Sequence, residues 1–297
     1  MTNDSKYDMV FIGNYTQDTI VSPTGTRLVH GGGFNYGAHA AVLMGLKTAA
    51  VTRLSQLDNH VVETLVQLGV DVFPEYTRHS TCLRLYYPTT NVDQRVLTVF
   101  SSAGSFTPDQ IARLEARAFL LNGSFRGEVG LDVIQELKKK DAWLTADAQG
   151  FARVVSADGT MVSEPWPEKE QVLALIDILK ADAVEAEMLT GISDIHEAAR
   201  IMAGWGPREI VLTHRDGLLI LAEGQYYETP FLPRQLVGRS GRGDTCVASY
   251  VAKRLSATPR EACLWAAALT SLKMEAEGPI KKSQADVEEF IRLVYPS

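Results

Sequence analysis

Two glycines one residue apart, Gly241 and Gly243, lead straight into Asp244, and from there the apolar residues Val247, Tyr250, Val251 and Leu255 recur at helical spacing. A glycine turn that opens into a helix N-terminus makes an anion site. The first amides of a helix lack intrahelical partners, and the macrodipole adds roughly half a positive charge there. Glycine lets phosphate oxygens approach the backbone. A carboxylate beside phosphates raises the electrostatic energy unless it does chemistry, and Asp244 is placed to do it. It could take the proton of an attacking hydroxyl while the amides hold the charge of a transferring phosphoryl group. The same aspartate could instead simply cap the helix, and spacing alone leaves both readings open.

Three further stretches carry side chains of this kind. Asp18 follows Tyr7 to Ile12, a short apolar run that reads as a buried parallel strand ending at Gly13. Ligand crevices of open α/β sheets lie beyond the carboxyl ends of strands, so Asp18 could meet a substrate there or be a solvated loop aspartate. His30-Gly31-Gly32-Gly33-Phe34-Asn35-Tyr36-Gly37 runs into a helix with Phe34, Ala38, Ala41 and Val42 on one face. Its glycines serve either a close backbone approach to ligand or a tight turn. Asp182 and Glu185 sit at the end of a short strand, as surface carboxylates or as holders of Mg2+ through its waters. After the strand Ile210-Val211-Leu212, Thr213 and Arg215 offer a hydroxyl and a guanidinium to nucleotide phosphates, whereas His214 reads as a packed or capping histidine.

The elements that must position these groups alternate strand and helix. Ala49 to Val51, Val70 to Phe73, Ala118 to Leu121, Trp143 to Ala146 and Glu209 to Thr213 read as strands. Val61 to Leu68, Leu131 to Lys140 and Gln171 to Leu179 read as amphipathic helices between them. This is the βαβ pattern of a doubly wound, mostly parallel α/β sheet flanked by helices. Two strand pairs break it. Thr19 to Val21 with Thr26 to Val29, and Thr81 to Tyr87 with Arg95 to Phe100 across Pro88 to Gln94, form hairpins with no crossover helix. They predict a small separate β-sheet used as a lid, with an edge extension of the main sheet as the alternative. Ser156 to Pro167 reads as a surface connection.

The chain has 297 residues, 45% hydrophobic and 22% charged, enough for a large core. A net charge of -7 argues against a nucleic-acid surface, and Lys138-Lys139-Lys140 reads as complementing a helix dipole. Cys82, Cys246 and Cys263 are odd in number and lack metal-ligand spacing, so neither a disulfide framework nor a zinc site is expected. No apolar run approaches the roughly 18 residues that span a bilayer, so no membrane contact and a cytoplasmic location are expected.

Nearly the whole chain resembles the ribokinase-like, or PfkB, family of carbohydrate and nucleoside kinases. Gly31-Gly32 with Gly45-Leu46 is similar to its N-terminal signature, and Gly241-Arg242-Gly243-Asp244 is similar to its C-terminal one, ending in the catalytic aspartate. The resemblance implies a single domain over 1–297, with lid inserts near 14–30 and 80–100. It assigns Asp244, Gly241, Arg242 and Gly243 to catalysis, and Asp18, Gly32, Gly33, Asn35 and Tyr36 to the substrate. Asp182 and Glu185, matching an Asn-x-x-Glu element, go to Mg2+ and phosphate, and Thr213, Arg215 and Ser240 to the donor. ATP and Mg2+ are the implied cofactors, and a homodimer through the lid is left open. Arg242 stands in place of the usual Ala, Asp182 in place of Asn, and Gly238 in place of an aspartate that helps bind a monovalent cation in many members. Little potassium activation is therefore expected. The acceptor is a sugar or cyclitol, with a lean to the inositol-kinase branch. The alternatives are a nucleoside kinase, with Phe34, Tyr36 or Tyr86 forming a purine slot, and an inactive ligand-binding protein on the same scaffold.

Overall fold

The computed structural model describes residues 6–89 and 95–295; part of the expected second lid insert, 90–94, and the ends 1–5 and 296–297 lie outside the described residues. Nine strands form one sheet in the order Gln225–Pro230, Gly217–Ala222, Glu209–Thr213, Ile178–Asp182, Trp143–Asp147, Ala116–Leu121, Tyr7–Ile12, Thr48–Ser55, Asp71–Thr77. From Glu209–Thr213 to Asp71–Thr77 every pairing is parallel, and the other two strands join antiparallel. Parallel strands need cover on both faces, and the period of two in Tyr7–Ile12 supplies it. Met9 and Phe11 enter one apolar layer with Phe34, Tyr250, Trp265 and Leu269, while Val10 and Ile12 enter the other with Val133, Ile134, Leu137 and Met202. Each such side chain fully buried stabilises the fold by roughly 1.5–3 kcal/mol.

Register decides where the chemistry lies. Val10 pairs with Ala49 and Phe119, Phe119 with Leu144, Leu179 with Ala146 and Ile210. The carboxyl ends therefore line up along one edge, bringing together Gly13, Asn122, Asp147, Lys180, Asp182 and Thr213. The alternation read from the sequence is present, with corrected bounds. The expected helix over Gln171 to Leu179 is instead the short helix Lys169–Leu173, and Ile178 and Leu179 begin a strand. Their apolar run is buried on both sides of the sheet, a pattern that does not distinguish strand from helix by periodicity. The expected helix to Lys140 stops at Lys138. Ser156 to Pro167 is not wholly a connection, because it contains the strand Met161–Ser163, which pairs antiparallel with Arg153–Val155 just before it.

The two hairpins form a separate four-stranded sheet in the order Gly25–Gly31, Thr16–Ser22, Thr81–Tyr86, Val96–Ser101, not an extension of the large one. A parallel pairing of Thr16–Ser22 with Thr81–Tyr86 joins them. Ile20, Leu83 and Leu85 are its small core, with Val29, Leu97, Val99 and Met161 packed around them. Cys82, Cys246 and Cys263 are all free thiols. Among the described residues no helix is long and apolar enough to cross a membrane.

Candidate active site

The turn that opens the helix Arg242–Arg254 is built around Gly241, which caps the helix at φ 75° without a side-chain hydrogen bond. Only glycine fits there, since a Cβ would drive into the Tyr36 ring. The first i→i−4 bond runs from Thr245 N to Gly241 O, so the amides of Gly243 and Asp244 precede the helical ladder. Asp244 lies inside the first turn and is not the cap, which removes the simple capping reading. Its Oδ1 is closed from solvent and has no hydrogen-bond partner among the described residues.

A second glycine-started helix, Gly33–Leu43, meets the first. Gly32 caps it at φ 97°, where a Cβ would come within 2.7 Å of Asn14 O, and a Cβ on Gly33 would overlap Asp244 Oδ1. Across this gap Asp18 extends from the small sheet with Oδ1 unpartnered, and a Cβ on Gly31 would lie 2.8 Å from its Oδ2. Burial pushes the Asp18 carboxyl up to about 6; a Thr16 hydrogen bond opposes this and the Asp244 charge adds to it. Burial likewise raises Asp244, against the pull of Lys180 and Arg153. Two buried carboxyls are therefore held above the ordinary range, near enough for the Asp244 charge to act on Asp18. Asn35 is buried, with its backbone oxygen bonded to His39 Nδ1. Tyr36 is also buried, its hydroxyl unpartnered and pushed upward by burial.

Cations sit under the turn. Lys180 Nζ lies 3.0 Å from Asp147 Oδ2 and 3.8 Å from Glu185 Oε2, and a Cβ on Gly243 would come within 3.0 Å of it. Burial pulls the Lys180 ammonium down, but Asp147 and Glu185 outweigh it and keep the group charged. Glu185 pairs with Arg153 at 3.0 Å; burial works against its charge, and Lys180 and Arg153 hold it below the usual range. Asp182 caps the helix Ala183–Thr190, accepting from Glu185 N at 2.8 Å while Glu185 Oε2 accepts from Asp182 N. Among the described residues no three His, Cys, Asp or Glu side chains group to hold a metal ion. Both acids are engaged, in the capping box and with Arg153, so they could reach a Mg2+ ion only through its waters.

On the other side of Arg242 is a cavity of about 310 Å³ lined by Arg215, Arg239 and Arg242, by the carboxylate of Asp216, and by apolar residues including Phe231 and Met274. The Arg242 guanidinium carbon is 5.8 Å from the Phe231 ring centroid and its Nη1 is shut from solvent, so this side chain does not point outward. Ser240 is half-buried in the turn before the helix. Thr213 is buried at its strand end opposite Asp182, and is not among the residues lining the cavity. Of the rings offered for a purine slot in the alternative reading, Phe34 and Tyr36 are buried and Tyr86 is exposed.

Sequence reasoning missed Asn122, Asp147, Arg153, Lys180 and Lys273, and gave Arg239 no role. Lys273 is buried on the helix Pro259–Met274 and donates from Nζ to Gly238 O at 3.1 Å, behind the turn. Asn122 follows the strand Ala116–Leu121 and Asp147 ends Trp143–Asp147, a position that could have found them, whereas Lys180 lies inside Ile178–Asp182 and Arg153 opens the short strand Arg153–Val155.

Comparison with known proteins follows the geometry. A family described as pfkB family carbohydrate kinase matches residues 5–286. A solved pyrophosphate-dependent kinase in the ribokinase family, complexed with a pyrophosphate analogue and myo-inositol, is 34% identical with a TM-score of 0.87 over 95% of this chain and 99% of that one. Cytidine kinase of Thermococcus kodakarensis is 26% identical over 86% of this chain and 92% of its own. Ribokinase of Arabidopsis thaliana, complexed with ribose and ATP, shares the fold at 18% identity and a TM-score of 0.77, over 97% of this chain and 100% of that one.

Proposed function

The chain belongs to the PfkB family of carbohydrate kinases, and we propose that it transfers a phosphoryl group from inorganic pyrophosphate to a hydroxyl of an inositol-type cyclitol. The observation that carries the donor is the cavity of three arginines beside the anion turn. Pyrophosphate is compact, highly charged and without a base, so its affinity must come from groups such as guanidinium forks. This reading replaces the ATP expected from the sequence, and it agrees with the donor and acceptor of the 34%-identical kinase. The acceptor lean rests on that kinase and on the buried carboxylates Asp18 and Asp244, which suit a polyol.

In this reading the cyclitol lies between Asp18 and Asp244, under the small sheet as a lid. Its hydroxyl oxygen attacks the terminal phosphorus, the bond to the bridging oxygen breaks, Asp244 takes the hydroxyl proton, and phosphate leaves. The amides of Gly243 and Asp244, with Lys180 beneath and Arg242 alongside, hold the charge that spreads over the transferring group. Arg215, Arg239 and Ser240 position the donor. Mg2+ carried by pyrophosphate would be held through its waters by Asp182 and Glu185 and would neutralise donor charge.

The test is turnover with pyrophosphate or ATP against myo-inositol, D-ribose and cytidine. Pyrophosphate with myo-inositol is expected to lead in kcat/KM by about tenfold or more, ~1.4 kcal/mol of transition-state binding. Preference for ATP overturns the donor, preference for ribose or cytidine overturns the acceptor, and no turnover with any pair overturns the activity.

A further inference from the structure

Asn122 follows the strand Ala116–Leu121 directly, and its backbone N–H is fixed to Ile12 O at 2.8 Å. It is 1% exposed, yet neither Oδ1 nor Nδ2 has a hydrogen-bond partner among the described residues. Burying a carboxamide with both ends unpaired is costly, and folded proteins avoid it unless the group has a use. Two glycines make room for this residue. A Cβ on Gly13 would lie 2.7 Å from Asn122 O and 3.1 Å from its Cβ, and a Cβ on Gly33 would come within 2.9 Å of Nδ2 while overlapping Asp244 Oδ1. The orphaned amide and the orphaned carboxylate thus flank the same point of backbone.

We propose that Asn122 selects the acceptor, its carboxamide binding two neighbouring hydroxyls of the polyol beside Asp244. The argument is one of complementarity. Asp18 and Asp244, as carboxylates, accept hydrogen bonds only, so they satisfy hydroxyl protons but leave hydroxyl oxygens without donors. Nδ2 supplies a donor to one hydroxyl oxygen, and Oδ1 accepts from the next hydroxyl. A vicinal diol satisfies both ends at once; an acceptor lacking one of the pair leaves a buried amide atom unpaired, the situation in which polar sites discriminate most strongly. Asn122 is therefore a specificity-determining residue for the reaction proposed above, on which this inference rests.

The experiment compares wild type, Asn122→Ala and Asn122→Leu in steady-state kinetics and in melting without ligand. The acceptor is whichever of myo-inositol, D-ribose and cytidine the wild type turns over fastest. Both variants are expected to raise the acceptor KM about tenfold or more, with the donor KM within about twofold. Asn122→Leu, similar in size and free of the buried polar atoms, is expected to melt higher by about 2 °C or more. An unchanged acceptor KM overturns the proposal, and so does a lower melting temperature for Asn122→Leu, because the carboxamide would then be structural. Wild-type turnover of ribose or cytidine alone refutes the cyclitol reading while the Asn122 comparison proceeds on that acceptor. If the wild type phosphorylates none of the three, the reaction falls, and the melting comparison still decides whether this amide supports the fold.

Discussion

At the scale of single residues the site depends on two groups one position either side of Gly243. Asp244 faces Gly33 with an unpartnered oxygen, and Asp244→Asn keeps its shape while removing the base. Turnover is expected to fall about a hundredfold or more with donor affinity retained. Near-normal turnover in a folded variant removes Asp244 from the mechanism. The pH sign follows from burial, which raises this carboxyl. The base form is lost as pH falls through that raised value, so the acid limb of kcat should begin above the ordinary carboxylate range. Arg242 makes a different prediction. Its guanidinium borders the cavity proposed for the donor, so if it holds charge that appears only during transfer, Arg242→Ala should slow pre-steady-state phosphoryl transfer more than it weakens pyrophosphate binding. An unchanged transfer rate would leave Arg242 with no catalytic part, and a loss confined to affinity would limit it to ground-state binding.

At the scale of elements, what was legible in the sequence is what lies close along the chain. Gly241, Gly243 and Asp244 form one turn and one helix start, and each hairpin is a local pairing, so spacing alone reached them. The rest depends on register between distant strands. Asp147 and Lys180 pair directly across neighbouring strands, but the run Trp143 to Ala146 stops one residue before Asp147, and the helical pattern of Gln171 to Leu179 hides the strand that carries Lys180. Asn122 is invisible for the same reason, since only the sheet brings it to Gly33 and Asp244. The small sheet carries its own consequence. It holds Asp18 but has a core of only a few residues, so it should open more easily than the large sheet. Amide exchange in Thr16–Ser22 and Thr81–Tyr86 is expected to slow when acceptor and a nonhydrolysable pyrophosphate analogue bind together. Unchanged exchange in both strands at demonstrated saturation would count against a lid.

At the scale of the whole molecule, a chain of net charge -7 gathers cations at one place, from parts far apart in sequence. Lys273 shows why this needs the complete fold. The helix Pro259–Met274 carries it, its ammonium holds Gly238 O, and it lies 5.5 Å from the centroid of Tyr36, whose ring closes on Gly241. A positive charge thus sits behind the turn at neutral pH, at the carbonyl of Gly238, which the family resemblance sets in place of an aspartate that helps bind a monovalent cation in many members. Turnover should therefore agree within about twofold between potassium and tetramethylammonium at equal ionic strength. Burial pushes Lys273 down to about 8, against the pull of Glu277 and Asp244. Below that pH the ammonium is present. As pH rises through about 8 the charge is lost, the hold on Gly238 O weakens, and kcat should decline on an alkaline limb. Lys273→Met should lower kcat at neutral pH and abolish that limb, because the titrating group is gone. A several-fold rise with potassium in the wild type would mean that a bound ion supplies the charge, and an alkaline limb that persists in Lys273→Met would assign the titration to another group.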